Sequence, residues 1–102
     1  MSRVVLITGA ARRIGAEIAH TFHHAGFDVA LHCRHSVDEA SVLDHELNSQ
    51  REGSAHVFSA ALDNIGAVRN LATKVMNWQG RLDVLINNAS SFFPTPLEQA
   101  SE

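Results

Sequence analysis

Apolar residues along this chain alternate between two arrangements: short continuous runs, and recurrences every three or four positions. The alternation predicts strands separated by helices. Residues 3–7 form a β-branched-rich run, aliphatic without interruption from Val4 to Ile7, the composition of a buried strand. Ile14, Ile18 and Phe22 recur every four residues and predict a helix over 14–24 with that stripe as its apolar face; Gly26 then stands where a left-handed cap residue is expected. Residues 29–33 form a second strand. Ser36 with Glu39 three residues later has the form of a capping box, opening a helix whose inner face is Ala40, Leu43 and Leu47 and which ends near Gly53. Residues 55–60 are a third strand. Asp63 is placed to cap a helix facing inward through Ile65, Val68, Leu71, Ala72 and Val75 and stopping at Gly80, and residues 83–87 are a fourth strand. Residues 90–102 hold both prolines, Pro94 and Pro96, and are expected to form a loop leading toward a further helix.

The resulting order, β-α-β-α-β-α-β with short connections, favours an α/β doubly wound parallel sheet of the Rossmann type: four strands and three helices in one unit spanning residues 1–102. Ligands of such sheets sit outside the carboxyl ends of the strands, where the strand order reverses. Chemistry is therefore to be sought at residues 8–15, 33–36, 61–63 and 87–92.

Composition narrows the classes of function. The 102 residues, 45% hydrophobic, suffice for one core and are too few for two. Eight Lys and Arg against eleven Asp and Glu leave a charge of −3 and no basic stripe, which argues against nucleic-acid binding. The longest aliphatic run, Val4-Val5-Leu6-Ile7, is far short of a membrane span, and the N-terminus lacks the apolar region of a signal peptide. Cys33 is the only cysteine, so no internal disulfide or cysteine-based zinc cluster can form. A cytoplasmic protein is expected.

The first turn, Thr8-Gly9-Ala10-Ala11-Arg12-Arg13-Ile14-Gly15, carries two glycines where the generic dinucleotide motif has three. Gly9 permits a tight exit from the strand, and Gly15 lets the helix pack close, leaving backbone N–H groups of the first helical turn to face an anion. Arg12 and Arg13 suit the same anion, since a guanidinium can grip phosphate oxygens bidentately; solvated surface arginines are the plainer account of one of them. At the end of the second strand, Cys33-Arg34-His35-Ser36 places no carboxylate before Asp38. An NAD site typically has an acidic residue there for the ribose 2′-hydroxyl, whereas an arginine attracts a 2′-phosphate, so NADPH is the expected cofactor. The fourth strand runs into Asn87-Asn88-Ala89-Ser90-Ser91-Phe92-Phe93-Pro94, small and amide residues that let a ring and ribose lie against the backbone. Either phenylalanine could stack on a flat heteroaromatic substrate or anchor the loop. His20 and His24 are one helical turn apart, but they lie off the apolar stripe and lack further ligands, so no metal site is expected. Trp78, Met76 and Cys33 are read as packing residues.

These residues resemble the N-terminal half of a short-chain dehydrogenase/reductase, and within that superfamily a pteridine reductase. Thr8-Gly9 with Gly15, and Asn87-Asn88-Ala89, are similar to the superfamily signature; Arg13 in place of the middle glycine, residues 32–36 and residues 88–97 narrow the resemblance. It implies that Arg12, Arg13 and Ile14 meet the pyrophosphate side of NADPH, alongside Gly9 and Gly15. It implies further that Arg34, His35 and Ser36 surround the 2′-phosphate, that Leu62 uses its backbone near the adenine, and that Asn88, Ala89 and Ser90 line the ribose and nicotinamide. A pterin-like substrate would meet Arg13 and Ser90 and stack on Phe92, leaving Phe93 to packing.

Two departures stand out. Ala61 occupies the place of an aspartate that meets the adenine in the family, and the chain contains no tyrosine, so the Tyr-x-x-x-Lys of the superfamily is not within it and no catalytic residue is assigned here. The expectation is the cofactor half of a site, incomplete at the C-terminus: an NADPH-dependent reductase of pterins or dihydrofolate-like substrates when intact, tetrameric by resemblance, and inactive as this chain alone. The alternatives are a related carbonyl reductase, a non-catalytic nucleotide-binding module, and an unstable remnant.

Overall fold

The computed structural model describes residues 2–11 and 13–88. Seven elements follow one another: β1 (Val4–Ile7), α1 (Arg13–His24), β2 (Asp28–Cys33), α2 (Val37–Gln50), β3 (Ala55–Ser59), α3 (Ile65–Gln79) and β4 (Val84–Ile86). The four strands are parallel in the order β3-β2-β1-β4, with Val5 beside Val29 on one side and beside Val84 on the other. The chain thus winds outward from β1 to β3 and then returns to pair β4 with the opposite edge of β1. The order reverses beside β1, as expected for a doubly wound sheet.

Side chains of a strand point alternately to its two faces, and both faces of this sheet are covered. Val5 and Ile7, with Val29 and Leu31, pack among Ala19 of α1 and Leu43 and Leu47 of α2. Val4 and Leu6, with Ala30, pack instead against Leu71 and Val75 of α3. Two-sided burial explains why β1 is an unbroken apolar run. β4 is less covered: Val84 and Ile86 are half-buried and Leu85 is 45% exposed.

Four details differ from the sequence-based expectation. The core face of α1 is Gly15, Ala19 and His23, flanked by half-buried Ile18 and Phe22, while Ile14 is 66% exposed. Small residues bring the helix axis close to the sheet and turn the larger apolar ones to its flanks. α3 is capped by Asn64, whose side chain accepts from the Ala67 N–H at 2.9 Å, and not by Asp63. Ser36 holds the N-cap position of α2 but makes no side-chain capping bond; the Ala40 N–H donates to its carbonyl. Ile65 and Met76 are exposed, so neither is the packing residue expected of it. Trp78 is half-buried against the rings of His56 and Phe58. Gly26 and Gly80 adopt positive φ values of 98° and 79° at the ends of α1 and α3, as their positions predict. Among the described residues no helix is long and apolar enough to cross a membrane.

Candidate functional site at the carboxyl edge of the sheet

Every strand stops at the same edge, and the turns leaving it are tied to one another. Gly9 leaves β1 with φ 60°, a conformation that favours glycine. On one side its N–H donates to Nδ1 of His32 at 3.1 Å, and the Ala10 N–H donates to the His32 carbonyl at 2.9 Å. On the other side its carbonyl accepts from the Asn88 side chain at 3.0 Å, and the Asn88 N–H donates to Thr8 Oγ1 at 3.0 Å. The Thr8 N–H donates to the Ile86 carbonyl at 3.0 Å, closing the seam between β1 and β4. The turn is thus stitched to β2 through His32 and to the end of β4 through Asn88.

Gly15 is required by contact, not by φ. A Cβ there would lie 2.4 Å from the Gly9 carbonyl oxygen, 2.7 Å from Asn88 Nδ2 and 2.9 Å from Ala10 Cα. Two of those atoms are backbone and cannot swing aside. The missing side chain is what lets α1 begin directly against the turn, so that its N-terminal N–H groups face the edge of the sheet. No acidic side chain lies in the first turn of α1 to compete for them. Arg13 opens the helix with φ 49°, the only positive value among the described non-glycine residues. That conformation costs a non-glycine residue of order 1 kcal/mol and persists where surroundings impose it.

Beyond β2, Arg34 reaches across to Asp63 in the β3–α3 connection, with Nη1 2.8 Å from the carboxylate, and its Nε donates to His35 Nε2 at 3.2 Å. Both partners of the ion pair are about half exposed, so its intrinsic strength is small and the guanidinium is open to a second anion. His35 is exposed and Ser36 half-buried at the start of α2. Leu62 is buried in the cluster under α3, so its side chain serves the core and only its backbone is available for a ligand.

The structure therefore brings Gly9, Gly15 and Asn88 into direct contact and gathers Arg34, His35 and Ser36 at the neighbouring strand end. Arg13 lies at the opening of α1, and Ile14 beside it is exposed. Arg12, Ala89, Ser90, Phe92 and Phe93 lie outside the described residues. His32 and Asn64 have no individual role in the sequence reading, and Asp63 is a helix cap there, not the partner of Arg34. Only His32 carried a signal, as a polar side chain within the otherwise apolar run 29–33. Its burial lowers its pKa, assisted by the Arg34 charge and opposed by the bond to the Ala60 carbonyl. Among the described residues no three His, Cys, Asp or Glu side chains are placed to hold a metal ion, and His20 pairs with Glu46 at 2.9 Å.

The arrangement suits a dinucleotide: a glycine-lined helix start for a pyrophosphate and, one strand away, a basic end for a further phosphate. Comparison with known proteins agrees with the fold class. The family model described as short chain dehydrogenase matches residues 3–102. Pteridine reductase 1 of Leishmania tarentolae is 40% identical over 92% of this chain and 38% of its own length. Dehydrogenase/reductase SDR family member 7B of Xenopus tropicalis is 37% identical over 84% of this chain and 29% of its own length. An uncharacterised oxidoreductase of Mycobacterium bovis is 34% identical over 94% of this chain and 28% of its own length. The chain spans well under half the length of each of these relatives.

Proposed function

Because the chain belongs to the short-chain dehydrogenase family, we propose that it is the N-terminal, cofactor-holding part of the single catalytic domain of an NADPH-dependent reductase acting on pterins or dihydrofolate-like heterocycles. The observation that carries the cofactor assignment is the end of β2, where Arg34, His35 and Ser36 stand and no carboxylate precedes Asp38. A guanidinium there attracts a 2′-phosphate, and a carboxylate would repel it. The likeness to a pteridine reductase over nearly the whole chain supports the substrate class.

The residues present fit such a cofactor. Gly15 admits the close approach of α1 to the turn, Gly9 and Asn88 hold the turn in shape, and Arg13, with Arg12, adds positive charge at the helix start. Arg34, His35 and Ser36 would receive the 2′-phosphate, and the Leu62 backbone would face the adenine. Asn88, Ala89 and Ser90 would line the ribose and nicotinamide. When bound, the reduced nicotinamide supplies a hydride to a C=N bond of the substrate. Arg13, Ser90 and Phe92 would hold the substrate ring, Phe92 by stacking. The chain contains no tyrosine, and we assign proton delivery to the remainder of the domain; the 102 residues alone are expected to bind NADPH weakly and to turn nothing over.

Turnover of a dihydropterin by the full-length protein with NADPH and with NADH tests both assignments. A strong preference for NADPH is expected. Equal use of the two cofactors overturns the first assignment, and absence of pterin turnover overturns the second. The second reading is a carbonyl reductase, favoured by the match to a relative named only as a dehydrogenase/reductase. Phe92→Ala separates the two, because only stacking of a flat ring predicts a large loss of substrate affinity.

A further inference from the structure

His32 lies in β2 on the same face of the sheet as Ala30, which belongs to the cluster beneath α3. It is buried, and it is hydrogen-bonded at both ring nitrogens. Nδ1 accepts the Gly9 N–H at 3.1 Å, so the ring is neutral and its proton sits on Nε2, which donates to the Ala60 carbonyl at 2.9 Å. The ring therefore spans three segments: the turn after β1, its own strand, and the residue following β3. Both bonds end on main-chain groups of segments that line the candidate site. Gly9 adopts a positive φ and has no side chain to restrain it, so the ring and Asn88 are what hold it in place.

We propose that His32 is a positioning residue: its unprotonated Nδ1 latches the glycine turn in the shape that receives the cofactor pyrophosphate, and protonation of that nitrogen releases the turn. This rests on the cofactor reading above for the identity of the ligand, but not for the latch itself. A protonated Nδ1 is a donor facing another donor, the Gly9 N–H, and that contact cannot persist. The charged side chain acting on the ring is Arg34, two residues along the strand, which disfavours a second positive charge. The partners on the other elements, Gly9 and Ala10 from the turn and Phe58 and Ala60 from the β3 side, are uncharged. Asp63 places its carboxylate on Arg34.

Two substitutions divide the ring's functions. In His32→Asn the amide oxygen occupies the Nδ1 position and keeps the Gly9 bond while the link to Ala60 is lost. In His32→Gln the amide reaches toward Ala60 and the Gly9 bond is lost. The full-length proteins would be compared by hydrogen–deuterium exchange of the peptide containing Gly9 and by equilibrium binding of NADPH at pH 7.5 and at a pH well below 6.5. The expected result is native-like exchange and affinity for His32→Asn. His32→Gln should show faster exchange at Gly9 and an affinity lower by about fivefold to tenfold, the worth of one hydrogen bond. Acid should lower the protection factor at Gly9, the ratio of an unstructured amide's exchange rate to its own at the same pH, in the native protein and not in His32→Asn; Arg34 and His35 are common to both. Equal exchange at Gly9 in the two variants, or an acid response that survives in His32→Asn, overturns the proposal. If the native protein fails to bind NADPH, the cofactor reading falls and the exchange data still decide the latch.

Discussion

The two ends of the sheet each contain a buried histidine, and they use it differently. At the amino end, His23 of α1 bonds the Ser54 hydroxyl through Nε2 at 2.7 Å. Ser54 in turn reaches the Arg51 carbonyl, while the Arg51 guanidinium holds the carbonyls of His23 (3.2 Å) and Phe27 (2.5 Å). That knot ties the end of α1 to the residues flanking α2 and β3, and no candidate ligand residue belongs to it. At the carboxyl end, His32 bonds backbone groups of turns that a ligand would touch. A buried polar side chain bonded to other core-facing groups fixes the fold, whereas one bonded to the main chain of a turn fixes the shape of a site. Disturbing each end in turn sharpens the contrast.

The largest effect is expected from Gly15→Ala. The added methyl would press on the Gly9 carbonyl and on Ala10, and neither backbone atom can move without lifting α1 from the turn. A loss of about 3 kcal/mol in urea unfolding is expected, together with loss of NADPH binding. Native-like stability and affinity would mean that the close approach of helix and turn is not what builds the site. Arg34→Ala comes next. Removing a charged hydrogen-bond donor should weaken NADPH by about tenfold or more while leaving NADH unchanged, as read by titration.

The amino end answers in stability alone. His23→Leu deprives the Ser54 hydroxyl of its imidazole partner and should cost about 1–3 kcal/mol with no change in NADPH affinity. A change in affinity would break the division between the two ends.

Acid should strain both ends together. Burial lowers the pKa of His23 and of His32 from 6.5, so each is neutral in the folded protein while the unfolded chain takes up a proton near that value. Their contribution to stability is therefore complete above pH 6.5 and is lost as pH falls from there toward the lowered folded values. Unfolding midpoints measured down this range should decline, and the decline should be shallower when His23→Leu and His32→Asn are combined. The smallest effect belongs to Asp63→Asn. Its ion pair with Arg34 is solvent-exposed and is worth about 1 kcal/mol or less, so stability should barely change. With the competing carboxylate gone, NADPH affinity should rise slightly; a fall would show that Asp63 orients Arg34 for the phosphate.

The sequence alone determined the order of elements, because each depends on residues close in the chain. A continuous apolar run made β1 and a mostly apolar one made β2, the spacing of Leu43 and Leu47 made the inner face of α2, and Gly26 and Gly80 ended α1 and α3. Gly9, Gly15 and Arg34 were also visible, since their places follow directly from the ends of strands. Contacts between distant segments were not. Which face of α1 is buried depended on how closely Gly15 meets Gly9, so the stripe through Ile14 misled. Asp63 pairs with Arg34, distant in sequence, and leaves the cap of α3 to its neighbour Asn64. Most of all, His32 was only a polar interruption in a strand. Its two ring nitrogens acquire a role when parallel pairing sets β2 between the turn after β1 and the end of β3. A hydrogen bond is specified by positions in space, and spacing along a chain does not encode them.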